Sequence, residues 1–314
     1  MWVLAFRKRL RQIYRMKGAC FMNQPKKLQR NQVLFLFTLP ILLMYCVFFV
    51  VPLLMGMKNS FTDWSGTSAD YNFIGISNYI KIFHDERFRN ALWFNFKYTF
   101  LLTVATLVIS LVIAVILNQK IKGRSFFRSI YFLPAVLSLV TVGLIWNELF
   151  YRMIPAIGEA TGWELFRSSW LGSPKLAMYA ILIVNLWQGC ATPIVLLIAG
   201  LQSIPADLYE AASIDGATAW EKFKTITIPY LIPVLNIVIV TCVKSGLTTF
   251  DYIKAMTDGG PMQSTESVGI LIYNHAMQEG KFGYSVAESM ILFVIIALVS
   301  VLTMRMSNGK KVGD

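Results

Sequence analysis

The chain has 314 residues, of which 56% are hydrophobic and 15% charged, with a mean hydropathy of +0.56 and a formal net charge of +12. That apolar excess excludes an ordinary soluble domain and points to a polytopic membrane protein. The basic excess lies on one side of the predicted topology, so the charge reads as an orientation signal and not as a nucleic-acid footprint.

Residues 1–32 form a basic leader with nine Lys/Arg and no acid. Its short apolar start precedes the basic run, the reverse of a signal peptide, so the first span is expected to be a retained anchor. The leader itself is expected either to lie on the anionic inner leaflet as an amphipathic helix or to trail as a basic tail. Apolar runs able to cross roughly 30 Å of hydrocarbon, which takes about 20 helical residues, predict six spans. They fall at 33–54, 92–118, 126–147, 177–200, 229–250 and 286–305. Long continuous runs such as "LLTVATLVISLVIAVIL" favour helices over barrel strands. The expected class is therefore an all-α membrane protein, with one six-span domain over 33–306 and a tail over 307–314.

With both termini, the 119–128 loop and the 203–228 loop placed inside, the cytoplasmic face holds eighteen Lys/Arg against five acids, and the outer loops ten against eleven. That asymmetry predicts cytoplasmic termini. The first outward loop, 55–91, is rich in Asn, Asp and aromatics and long enough to cover the outer mouth. In the second, 148–176, Trp163 and Trp170 read as interfacial belt residues. The third, 251–285, holds "TDGGPMQSTES", whose Gly-Gly-Pro demands a tight turn. Pro134, Pro193 with Gly189, and Pro233 mark breaks or kinks of the kind that line cavities. Cys20, Cys46, Cys190 and Cys242 have no metal-type spacing and read as apolar fillers.

The segment between spans four and five is the most ordered polar stretch. Ser203 and Pro205 begin a helix, "ADLYEAAS" continues it, Gly216 breaks it, and "TAWEKFKTI" predicts a second short helix before Pro229 opens span five. The small Ala211, Ala212 and Gly216 allow another protein to approach the backbone closely, and Glu210 supplies an acid able to pair with an arginine. Nothing in the pattern calls for catalysis.

The spacing Glu210-Ala211-Ala212, Asp215-Gly216, Ile226 and Ile228-Pro229 resembles the signature loop of ABC importer permeases, with Ile where that family usually has Leu. "FIGISNYIKIFHDERF", "TTFDYIKAMTDGGPMQSTES" and "FGYSVAES" are similar to outer-loop motifs of its carbohydrate branch, which serves maltose, oligosaccharides and glycerol phosphate. Two local departures are Glu288, where the family usually has a small residue, and Asn95, followed here by Phe96 and not Thr. The resemblance implies a type I importer permease fold with a cytoplasmic coupling helix in the 203–228 loop. It also implies partners: a second homologous permease forming a heterodimer, two cytoplasmic ATPase subunits, an external sugar-binding protein and membrane lipid, with no nucleic acid. The chain carries no Gly-x-x-x-x-Gly-Lys-Ser/Thr loop, so no cofactor is expected on it; ATP and magnesium belong to the ATPase subunits.

By distance from the signature loop, the resemblance places a substrate path at Asn185, Gly189 and Thr192 of span four and Ser245, Gly246 and Thr249 of span five. Trp187 beside them is read as lipid-facing, with stacking on a sugar as the alternative. Lys244 and Glu288 are charges inside spans, and each demands a reason. For Lys244 the readings are snorkelling to the interface, binding of a charged sugar derivative, or an ion pair with Glu288. An ion-coupled secondary transporter is the rival function. It would require acids or histidines within the spans, and His84 and His275 are both placed in outward loops. A membrane enzyme is disfavoured by the lack of any clustered nucleophile or metal motif.

Overall fold

The computed structural model describes residues 27–68, 70–119 and 123–308; the leader to residue 26 with Cys20, and the tail from 309, lie outside the described residues. The chain divides into two units, Met1–Gly56 and Met57–Asp314. In the first, α1 (Lys27–Tyr45) runs through a π turn at Cys46–Val50 into α2 (Val51–Asn59). Its surface is apolar on all sides, as expected of a helix in lipid.

In the second unit, α3 (Ser77–His84) precedes α4 (Glu86–Asn118), a helix of 33 residues. The third predicted span is not continuous. The helix α5 (Arg124–Phe132) and a 3-10 turn at Leu133–Val136 end at two extended residues, Leu137 and Ser138, before α6 (Leu139–Glu148) and α7 (Ile154–Thr161). The two halves meet at 102°. Span four is α8 (Ala177–Gly189) and α9 (Ala191–Gln202), bent by 45° at Cys190. After α10 (Ala206–Ile214) come α11 (Ala219–Lys222) and α12 (Ile228–Leu247), then the outer α13 (Asp251–Met256) and α14 (Val268–Tyr273), and last α15 (Phe282–Asn308). Four helices are long and apolar enough to cross a membrane, and the two bent pairs bring the number to six. The helical class stands, and the count reaches the expected six when each bent pair is taken as one span, span three being broken at Leu137 and Ser138.

Three other prolines are absorbed by a recurring device. π turns at Cys46–Val50, Leu149–Met153 and Phe223–Thr227 each end two residues before a proline, Pro52, Pro155 and Pro229. Proline donates no N–H and its ring crowds the carbonyl one turn back; widening that turn removes the clash without ending the helix. For this reason "TAWEKFKTI" is not a separate helix, as its sequence suggests. Ala219–Leu247 is one rod of 29 residues that carries span five directly out to the loop.

The central mast is α4. Its N-terminal end joins a cluster with Ile82, Val268, Leu271 and Ala287, its middle one with Ile181, Val184, Ile253 and Ile270, and its C-terminal end one with Ile194, Leu197, Ile198 and Leu231. Close approach of α12 to α4 depends on Gly246, where a Cβ would lie 2.6 Å from Thr99 Oγ1 and 2.8 Å from Thr99 Cα. Small residues at such crossings supply packing where water offers no driving force.

Candidate functional site

The loop between α9 and α12 is a fixed structure. The helix α10 ends in a Schellman motif: Ala217 N–H donates to Ala212 O at 2.9 Å and Gly216 N–H to Ser213 O at 3.2 Å, with Gly216 at φ +77°. Thr218 then caps the next helix in a reciprocal box with Glu221. Two side-chain bonds fasten α10 to the span-five rod. The hydroxyls of Tyr209 and Thr227 meet at 2.8 Å, and Lys222 Nζ donates to Ser213 Oγ at 2.7 Å. Leu208, Tyr209 and Ile226 pack on the inner core cluster, and Pro229 is half-buried.

Glu210, Ala211, Asp215 and Gly216 are exposed, and Ala212 is half-buried. Beside them Ile214 is 87% exposed and Trp220 69%, the latter stacked on Phe223 with ring centroids 5.7 Å apart. An acid and two large apolar side chains thus face outward from a loop whose root is anchored in the core. Sequence reasoning singled out Glu210 and Gly216 but not Ile214 or Trp220; their apolarity in an otherwise polar loop was the available signal.

The six substrate-path positions divide into two groups. Asn185, Gly246 and Thr249 are buried against α4: Asn185 Nδ2 donates to the Tyr98 hydroxyl at 2.8 Å, and Thr249 O accepts from Ser267 Oγ at 2.9 Å. Gly189, Thr192 and Ser245 are exposed. Gln188, next to the half-exposed Trp187, has a structural task at the break in span three. Its Nε2 donates to Pro134 O at 3.0 Å and Leu137 O at 2.8 Å, while its Oε1 accepts from Tyr252 at 2.8 Å. The Leu137 carbonyl at the break thereby gains a partner, as a membrane interior requires, and Pro134 O gains a second beside Leu137 N–H.

Lys244 and Glu288 do not pair. Glu288 is fully buried and both its oxygens lie 2.9–3.0 Å from His275 Nδ1. His275 is not in an open loop as its sequence position suggests; it is 4% exposed, in the π turn Asn274–Gln278. The Lys244 side chain is exposed. Gly246 rests on Thr99, two residues along α4 from Lys97, which sets Lys244 near the end of the apolar stretch of α4.

The outer loops are clamped by charge. Arg87 grips Glu266 through two bonds of 2.7 and 2.8 Å and reaches Glu279 at 3.2 Å. Asn274 Nδ2 also donates to Glu266, at 3.3 Å. Asn95 bridges α4 to the loop, donating to Leu247 O at 2.7 Å and accepting from Val268 N–H at 3.0 Å. Of these, Arg87, Glu266 and Asn95 fall within or beside the motifs quoted from the sequence, although the pattern alone did not pair them.

A bundle of broken and continuous spans around one long mast, with a rigid helical loop at one end, defines an importer permease. The fold matches the crystal structure of a bacterial ABC transporter involved in the import of the acidic polysaccharide alginate, with a TM-score of 0.78 over 90% of this chain and 97% of that one, at 22% identity. Residues 106–309 match the family described as binding-protein-dependent transport system inner membrane component, and the chain belongs to that family. It is 44% identical over 267 residues to the multiple sugar-binding transport system permease protein MsmF of Streptococcus mutans, covering 85% of this chain and 92% of the relative. It is 32% identical to the trehalose/maltose transport system permease protein MalF of Thermococcus litoralis, covering 88% and 94%. The protein is thus a multi-pass membrane transport subunit.

Proposed function

We propose that this chain forms part of the translocation path of an ATP-driven importer for a sugar or oligosaccharide, delivered from outside by a binding protein. Two ATPase subunits bind the ATP and magnesium, and a second, homologous permease completes a heterodimeric channel. The termini and the 203–228 loop face the cytoplasm, in line with the basic excess on that side. The observation that carries this reading is the loop itself: α10 exposes Glu210, Ala211 and Ile214 while Tyr209 and Ser213 bind it to the base of span five. A surface held in that way transmits displacement of a docked ATPase to the membrane rod, the two-state element that coupling requires. The names of the relatives, MsmF and MalF among them, support a sugar as cargo.

Glu210→Lys, or a bulky residue at Gly216, is expected to abolish uptake while leaving the chain in the membrane and folded. Wild-type uptake by both variants would remove the loop from the coupling path. Affinity purification from the native membrane is expected to bring down a second six-span permease and a P-loop ATPase; repeated recovery of the intact chain alone would count for the secondary-transporter reading. For the path, substitutions at Asn185, Thr192, Ser245 and Thr249 are expected to alter which sugars stimulate ATP hydrolysis, and an unchanged profile would take them out of it. A charged sugar derivative is the alternative cargo, and Lys244→Gln tests it: selective loss of acidic sugars is the supporting result.

A further inference from the structure

At the end of the bundle opposite the 203–218 loop, a cavity of about 740 Å³ opens between α4 and the start of α8. Its walls include Arg87, Trp93, Lys97, Lys175, Tyr179 and Gln263. Arg87 is committed to Glu266, but Lys97 and Lys175 are exposed and have no ion-pair or hydrogen-bond partner among the described residues. Both lysines are the last charges before long apolar runs. No charged residue follows Lys97 until Lys120, nor Lys175 until Asp207. The twenty residues Tyr98–Leu117 rise about 30 Å, the thickness of the hydrocarbon. The two ammonium groups therefore sit together at headgroup depth, with the amphipathic Trp93 and Tyr179 beside them as interfacial aromatics.

Below the cavity the same two helices present matched apolar stripes. On α4 these are Phe100, Val104, Val108, Val112 and Ile116; on α8 they are Tyr179, Ile183 and Trp187, all at least two-fifths exposed. Beside the α8 stripe lies an apolar groove of about 310 Å³, walled by Ile109 and Ile113 of α4, Ile183, Leu186 and Trp187 of α8, Tyr131 of α5 and the start of α9. From Lys97 to Ile109 the helix descends about 18 Å, slightly more than half of the roughly 30 Å hydrocarbon layer. This stripe of α8 is turned away from Asn185 and Gly189: at 100° per residue the two sets point about 140° apart.

We propose that the α4/α8 seam binds one anionic phospholipid, its phosphate between Lys97 and Lys175 and an acyl chain in the Ile109–Ile183 groove. Two unpaired ammonium groups match a phosphate diester that carries net charge, and a zwitterionic headgroup would bring its own cation to the same place. A free phosphate would meet the same lysines but has nothing to place in the groove below. With the loop end cytoplasmic, the lipid belongs to the outer leaflet.

The test uses the complete transporter purified from its native membrane in mild detergent, with retained lipids counted by native mass spectrometry after exchange into phosphatidylglycerol or phosphatidylethanolamine. The wild type is expected to keep one phosphatidylglycerol per copy of this chain at least tenfold more strongly than phosphatidylethanolamine. Lys97→Gln with Lys175→Gln should bring the two lipids level. Ile183→Trp, which fills the groove, should weaken phosphatidylglycerol retention with both lysines in place. The melting temperature of each variant shows whether it is folded. Equal retention of the two lipids by the wild type, or full retention by the folded double variant, overturns the proposal. So does displacement of the lipid by inorganic phosphate at the concentration that displaces soluble glycerol phosphate, which would mark a soluble-anion site. Cross-linking of a cysteine at position 97 to another permease subunit would likewise overturn it, by making the seam a subunit interface.

Discussion

The hydroxyl of Tyr209, on the loop helix α10, lies 2.8 Å from the hydroxyl of Thr227, in the π turn near the start of the span-five rod. It joins two segments that the left-handed turn at Gly216 folds back on each other, so that α10 moves with the rod. Tyr209→Phe removes a single bond worth about 1 kcal/mol. The protein is expected to remain folded while sugar moved per ATP hydrolysed falls severalfold. Uptake and ATP hydrolysis measured on the same proteoliposomes decide this, and an unchanged ratio would show that packing alone holds the loop.

Gly216 occupies φ +77° in open space, with no atom within 4 Å of where its Cβ would be. A side chain there meets strain of about 1–2 kcal/mol and no clash within the chain. Gly216→Asn, which tolerates this conformation, is expected to retain most uptake, and Gly216→Val to lose nearly all. If Asn fails as badly as Val, the glycine serves close contact with a partner and not the shape of the turn.

Glu266 is 5% exposed and held by the fork of Arg87. Arg87→Ala leaves that carboxylate buried without its counter-ion, at a cost of about 3–5 kcal/mol. Arg87→Lys keeps the charge but loses the paired geometry and should fall between. Thermal unfolding of the purified complex is the measurement; the loss in Arg87→Ala should shrink when Glu266→Gln is added. A loss that stays the same in the double variant would place the role of Arg87 elsewhere.

Glu279 accepts from Lys281 at 2.8 Å, which holds its carboxyl below the usual range, with the charges of His275 and Arg87 acting in the same sense. A depressed carboxylate contributes stability above its unfolded value, about 4.3, and loses it as the pH falls through the lower folded value. The difference in melting temperature between wild type and Glu279→Gln should therefore be constant from about pH 8 to about pH 5 and close below about pH 4. Because the pair is partly solvated, the difference should correspond to less than about 1 kcal/mol. A gap that widens in acid would contradict the assignment.

The sequence by itself determined the class, the apolar runs from which the spans are built and the position of the rigid loop. These depend on local properties: the length of an apolar run, a helix start at Ser203 and Pro205, and a glycine where the chain turns back. The spacing around Glu210 carried the family for the same reason, since it is a few residues at fixed offsets.

What depended on distant residues only the tertiary structure decided. Span three is broken at Leu137 and Ser138, and Gln188, from another helix, bonds the Leu137 carbonyl there. The rod runs unbroken through Pro229 because a π turn absorbs it. Glu288 is bound to His275 and not to Lys244, a choice set by which faces the packed helices present and invisible in a one-dimensional pattern. Hydropathy records how far a segment prefers lipid to water; which polar group inside meets which is fixed only when the helices pack.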